Sequence, residues 1–77
     1  MIMGPLDRLG RAVVKHGDKS YMVSTIESSD CGWETMIFPC DESGRVTSFL
    51  DVYCERYANR GEAVEGHARI AAEWKPE

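Results

Sequence analysis

Three clusters of turn-forming residues, Gly17-Asp18-Lys19-Ser20, Ser28-Ser29-Asp30-Cys31-Gly32 and Asp41-Glu42-Ser43-Gly44-Arg45, cut the first three-quarters of the chain into short β-prone runs. None of these connections is long enough for the crossover that parallel neighbours need, so any sheet built from the runs pairs antiparallel. The runs are Arg11 to His16, with Ala12, Val13 and Val14; Tyr21 to Glu27; Trp33 to Phe38; and Asp51 to Tyr57, preceded by the apolar stretch from Val46 to Leu50. Pro39 is expected to end the third or to place its end on an edge, because proline has no ladder donor.

After Tyr57 the pattern changes: Ala58, Ala63, Ala68, Ala71 and Ala72 accumulate and β-branched runs stop, which predicts a helix over residues 59–74. Asn59 is placed to cap the first free amides, and Glu62 three residues later to reach back as in a capping box. Val64, His67 or Ala68, Ala71 and Trp74 recur at spacings of three and four and form the expected buried stripe. Glu65 and Arg69, four apart, form an expected exposed pair. The fold class is therefore α+β, an antiparallel meander of three to four strands with one C-terminal amphipathic helix on one face. The expected layout is a single domain: residues 1–10 a loosely held lead-in, 11–57 the sheet, 59–74 the helix. Expected core contributors are Val14, Val23 or Ile26, Ile37 or Phe38, Val52 and Cys54.

Composition narrows the function. At 77 residues only about 60–65% of the unfolded surface is buried in one core, which leaves no room for a cofactor-enclosing enzyme fold. The net charge of −4 argues against general coating of nucleic acid, which is driven by phosphate neutralisation. No run of about 18 apolar residues is present, and a basic, apolar leader is lacking at the start, so the expectation is a cytoplasmic protein with no membrane contact. Three cysteines cannot complete an internal disulfide framework, and free thiols are the simpler reading.

Site chemistry is sparse. Cys31, Cys40, Cys54 and His67 could compose a Cys3His set, but they lie nine, fourteen and thirteen positions apart, whereas structural zinc draws on close pairs. A nucleophilic Cys31 or Cys40 with His16 or His67 as base would lack an orienting group and an oxyanion loop. No phosphate-binding glycine motif occurs, and no cofactor or metal is expected. The feature that points to function is Tyr53, Glu55 and Tyr57 on one strand face. Aromatic side chains interleaved with charge suit protein recognition if that face is exposed, and Trp33 joins them as a candidate contact residue.

The blocks Trp33-Glu34-Thr35-Met36-Ile37-Phe38, Glu55-Arg56-Tyr57 and Glu62-Ala63-Val64-Glu65-Gly66-His67 resemble a family of small bacteriophage and prophage proteins with an ETM-hydrophobic-F strand and an EA-x-x-GH helix. The resemblance spans roughly residues 20–74; Asn59 stands where relatives more often carry Thr or Ser, and the three cysteines are outside the pattern. It implies a phage-related origin, an α+β fold and no reaction. The resulting expectation is a non-enzymatic protein that binds another protein, as a modulator of host machinery or defence. The competing expectation is a self-associating assembly module, dimeric through an edge strand.

Overall fold

A computed structural model of the chain describes residues 8–28 and 32–76, the first two of them as backbone alone. Four antiparallel strands, β1 (Arg8–His16), β2 (Lys19–Ser28), β3 (Gly32–Cys40) and β4 (Tyr53–Tyr57), form a meander in the order β1-β2-β3-β4, and helix α1 (Arg60–Glu73) packs on one face. The α+β meander read from the sequence is thus the observed architecture. Among the described residues no helix is long and apolar enough to cross a membrane.

The turn chemistry accounts for the pairing. His16 faces Lys19 across a two-residue loop in which Gly17 has φ of 67° and Asp18 has no positive φ. This is the type II′ pattern, whose twist matches that of paired strands. β1 starts at Arg8, earlier than expected, and absorbs Leu9 in a register shift between Arg8 and Gly10. Of the lead-in, residues 1–7 lie outside the described residues, as does Cys31.

Pro39 does not end β3, which runs on to Cys40 with Pro39 opposite Tyr21. A strand residue directs its N–H and C=O to the same side, and Pro39's carbonyl accepts the Thr47 N–H at 3.0 Å from the side facing away from β2. The missing donor therefore falls where β4 has not begun, and no ladder bond is lost. The loop 41–52 fills that space, and the expected strand content of Val46 to Leu50 reduces to a single bridge between Cys40 and Val46.

Register decides which side chains meet the helix. Val23 pairs with Ile37, Thr25 with Thr35, and Tyr53, Glu55 and Tyr57 lie opposite Ile37, Thr35 and Trp33. Val23 and Ile37 are fully buried with Tyr21 and Ile70, ringed by half-buried Ala12, Val14, Tyr53 and Trp74. Each buried aliphatic contributes about 2 kcal/mol relative to an exposed one. Of the expected core, Val14, Val23 and Ile37 are in place. Val52 is instead 51% exposed and Cys54 is exposed, because Tyr53, Glu55 and Tyr57 take the helix side of β4 and send Cys54 to the other.

The helix begins as its residues dictate. Asn59 Oδ1 accepts the Glu62 N–H at 2.9 Å, and Glu62 Oε1 accepts the N–H of Ala58, one residue earlier than an ideal capping box. The buried stripe is offset from expectation: Ala63, Gly66 and Ile70 face the sheet with half-buried His67, Ala71 and Trp74, whereas Val64 is exposed. The reason is steric. The Tyr57 ring lies directly beneath Gly66, where a β-carbon would overlap the ring and its hydroxyl.

Candidate functional site

The four candidate contact residues do not form an exposed face. Trp33 and Tyr57 are only 6% and 9% exposed and pack with Ala63 under the first half of the helix, while Tyr53 and Glu55 are half-buried along its flank. The Arg60 guanidinium lies 5.8 Å from the centre of the Trp33 ring and shields its outer side. The strand-face grouping is real, but the helix covers it, since this is the face on which Ile37 and Val23 are buried.

What these residues build is a chain of hydroxyls between sheet and helix. Tyr57 donates to Thr35 Oγ1 at 3.0 Å, Thr35 and Thr25 share a 2.5 Å bond, and Thr25 Oγ1 is 2.6 Å from His67 Nδ1. Thr25 and Thr35 are fully buried, so every proton needs an acceptor. The three hydroxyls and His67 Nδ1 thus satisfy one another along a single chain from β4 through β3 and β2 to the helix. The other ring nitrogen, His67 Nε2, lies toward Gly10, whose missing β-carbon would stand 3.8 Å away.

At the flank, Glu55 accepts from the Tyr53 hydroxyl at 2.8 Å and from the Arg69 guanidinium. Burial alone would raise the Glu55 carboxyl, but the hydrogen bonds from Tyr53 and Arg69 and the Arg69 charge outweigh it and hold the group below the usual glutamate range. The Tyr53 hydroxyl is pushed up by its bond to that carboxylate and by burial, and Tyr57 by burial first. Arg69 thus serves β4 rather than forming the helix pair expected with Glu65. This assembly ties α1 to the sheet, and its central hydroxyls offer no reacting atom to solvent.

The opposite sheet face is different in kind. Met22, Ile26, Met36 and Phe38 project from it around a groove of about 230 Å³ closed on one side by Val46 and Phe49 of the loop 41–52, with Arg11 at its rim. The loop is firmly held. Asp41 Oδ1 accepts from the Ser43 hydroxyl at 2.6 Å, the Ser43 N–H at 2.9 Å and the Arg45 N–H at 3.0 Å, and these bonds, the Ser43 hydroxyl foremost, keep its carboxyl below the usual range. Thr47 binds the Pro39 carbonyl through both its N–H and its hydroxyl, and the Val52 N–H binds the Ile37 carbonyl. Gly44 sits over Val13 and Met22, where a β-carbon would be 3.3 Å and 3.6 Å from them.

A loop anchored at both ends presents Phe49 and Leu50 to solvent, each 81% exposed, with the Phe49 ring edge-on to Phe38 at 5.9 Å. The sequence reading missed this pair by counting it within a β-prone run. The available signal was its setting, Phe-Leu between Ser48 and Asp51 directly after a turn cluster. On this same side stands Cys54, exposed, while Cys40 is buried beside the loop; burial raises both thiols. His67 lies on the helix side, so Cys54 and His67 are separated by the sheet. Among the described residues no three His, Cys, Asp or Glu side chains stand together as a metal set.

The helix side is therefore internally bonded where the helix covers it, with a cleft of about 590 Å³ at the helix end beside Tyr21, Tyr53 and Trp74. The far side is apolar and carries the exposed Phe49 and Leu50. Compared with protein-family models, with curated proteins and with solved structures, the chain matches none.

Proposed function

We propose that the chain is a non-enzymatic module that binds another protein through the open sheet face and the Phe49-Leu50 loop. The observation that supports this is the exposure of Phe49 and Leu50, 81% each, beside half-buried Met36 and Phe38. Single exposed apolar residues are ordinary, but a contiguous patch containing Met and Phe with charged residues at its rim has the composition of an interface core. The resemblance to small phage and prophage proteins directs the reading toward a protein of host machinery or defence as partner, which is an argument by analogy.

The alternative, a dimer paired through an edge strand, meets an electrostatic obstacle at β1, though not at the other edge, β4, which carries Glu55 beside Arg56. β1 has exposed Arg11 and Lys15 and no carboxylate, so two β1 strands side by side bring like charges together. Capture from host lysate tests the proposal, with the parent chain and a Phe49→Ser/Leu50→Ser variant as baits. The parent is expected to retain a stoichiometric partner and the variant to lose it. A parent that retains none, or a variant that retains as much, overturns it. Sedimentation at micromolar concentration is expected to show a monomer; a dimer would favour self-assembly.

A further inference from the structure

We propose that the free edge of β1 is a docking site for an extended acidic segment of the partner, which adds to the sheet as a fifth strand antiparallel or parallel to residues 10–16. This rests on the protein-binding reading and names the partner's chemistry. Three observations carry it. First, β1 is the outer strand of the sheet, and among the described residues no backbone bond from a loop or turn reaches it, so alternate N–H and C=O groups face outward. Second, the strand is regular from Gly10 to His16, long enough for several ladder bonds.

Third, its charge is unlike that of the rest of the molecule. The chain carries −4 overall, yet β1 has no carboxylate, and Arg11 and Lys15 are exposed without an ion-pair partner among the described residues. Elsewhere Arg56 is paired with Glu34, Arg69 with Glu55, Arg45 lies near the Asp41 carboxylate and Arg60 lies over Trp33. Lys19 and Lys75 are also without an ion pair among the described residues, but neither shares a strand face with a second cation as Arg11 and Lys15 do. Arg11, Val13 and Lys15 alternate on the open face, with Val13 48% exposed between the two cations. A strand laid alongside is matched when it presents acidic, apolar and acidic side chains at every second position. Basic residues on a bare edge repel a second copy, and the same charges select an acidic strand. Such a strand would extend the sheet beside Arg11, which also lines the groove on the open face.

The probe is the acetylated, amidated peptide Thr-Thr-Glu-Thr-Val-Thr-Glu-Thr-Thr, titrated into isotope-labelled protein and followed by amide NMR shifts and hydrogen exchange. Its counterparts are the same peptide with both Glu replaced by Lys, and a version N-methylated at alternate residues on either register. Two matched charge pairs in place of two repulsive ones are expected to give about tenfold tighter binding of the Glu peptide than of the Lys peptide. Shifts are expected to centre on residues 11–15, with slowed exchange at alternate β1 amides. The Arg11→Glu/Lys15→Glu variant, altered only at exposed positions, is expected to reverse the preference while keeping its circular dichroism.

Equal binding of the Glu and Lys peptides, undiminished binding of every N-methylated version, or no binding to the folded parent chain overturns the proposal. So does protection of the β1 edge by a second copy in the absence of peptide. If lysate capture depends on Phe49 and Leu50 but is unchanged by Arg11→Glu/Lys15→Glu, and the peptide does not bind, the edge site fails and the protein-binding reading stands. If the peptide binds as described and no partner is captured, the converse holds.

Discussion

Replacing Gly66 by Ala separates helix propensity from packing in this fold. In an isolated helix the change stabilises by about 1 kcal/mol. Here the new methyl group would enter space held by the Tyr57 ring and hydroxyl. Tyr57 cannot swing aside freely, since it is buried against Trp33 and Ala63 and its hydroxyl is bonded to Thr35. Overpacking at such a site costs about 3 kcal/mol, the upper end of the usual range. Losing the hydroxyl bond adds about 1 kcal/mol. With the propensity gain set against these two, the variant is expected to be less stable by about 3 kcal/mol. Gly61→Ala is the comparison in the first turn of the same helix: its methyl group would stand 3.3 Å from Asn59 Oδ1, the oxygen that accepts the Glu62 N–H. Strain on that cap offsets the propensity gain, and the variant is expected to stay within about 0.5 kcal/mol of the parent. Urea denaturation, with midpoints compared at constant m-value, measures both. Should Gly66→Ala prove as stable as the parent, the placement of Tyr57 beneath the helix is refuted.

Other perturbations test the remaining ties. Thr35→Val removes the centre of the hydroxyl chain and is expected to cost about 2 kcal/mol, seen as a fall in Tm of about 10 °C for a domain of this size. Combined with Tyr57→Phe the loss is expected to be less than additive, because both substitutions delete the same bond. Glu55 supplies a pH test. Its carboxyl is held below the usual range, so its contribution is present above the unfolded value of about 4.3 and is lost as pH falls through the lower folded value. Glu55→Gln is therefore expected to lose stability near neutral pH and to show a shallower acid decline in Tm between neutral pH and pH 3, a range set by the about 4.3 reference value. An equally steep decline would show that the Tyr53 and Arg69 bonds do not favour the charged form.

The meander and the helix were legible because their signals are local. Gly17 sets a turn, Asn59 and Glu62 set a cap, and neither needs distant residues to be understood. The choice of sheet face was not legible, because Trp33-Thr35-Ile37 and Met36-Phe38 are similarly apolar alternations. It is decided by pairing with Val23 and Thr25 and by the helix above them. That a sheet-helix interface is centred on two threonines could not be read from hydropathy. Thr25 and Thr35 are ten positions apart, and only their pairing with each other, with Tyr57 and with His67 makes their burial favourable. The helix stripe was displaced for a related reason: Val64 is the more apolar residue, but Gly66 is the one that fits over a tyrosine ring. Likewise Phe49 and Leu50 looked like strand interior until Pro39 and Asp41 were seen to anchor the loop that carries them outward.

Only Ala58 and Asn59 separate the end of β4 from the start of α1. So short a link sets the rotational phase of the helix as well as its position. One inserted residue would turn the helix by about 100° relative to the sheet, carrying Ile70 and His67 off their partners and swinging charged side chains inward. Changes of chain length should therefore be far better tolerated at the Gly17-Asp18 turn than at this junction, where a strand residue and a helix residue lock against each other across only nine positions of sequence.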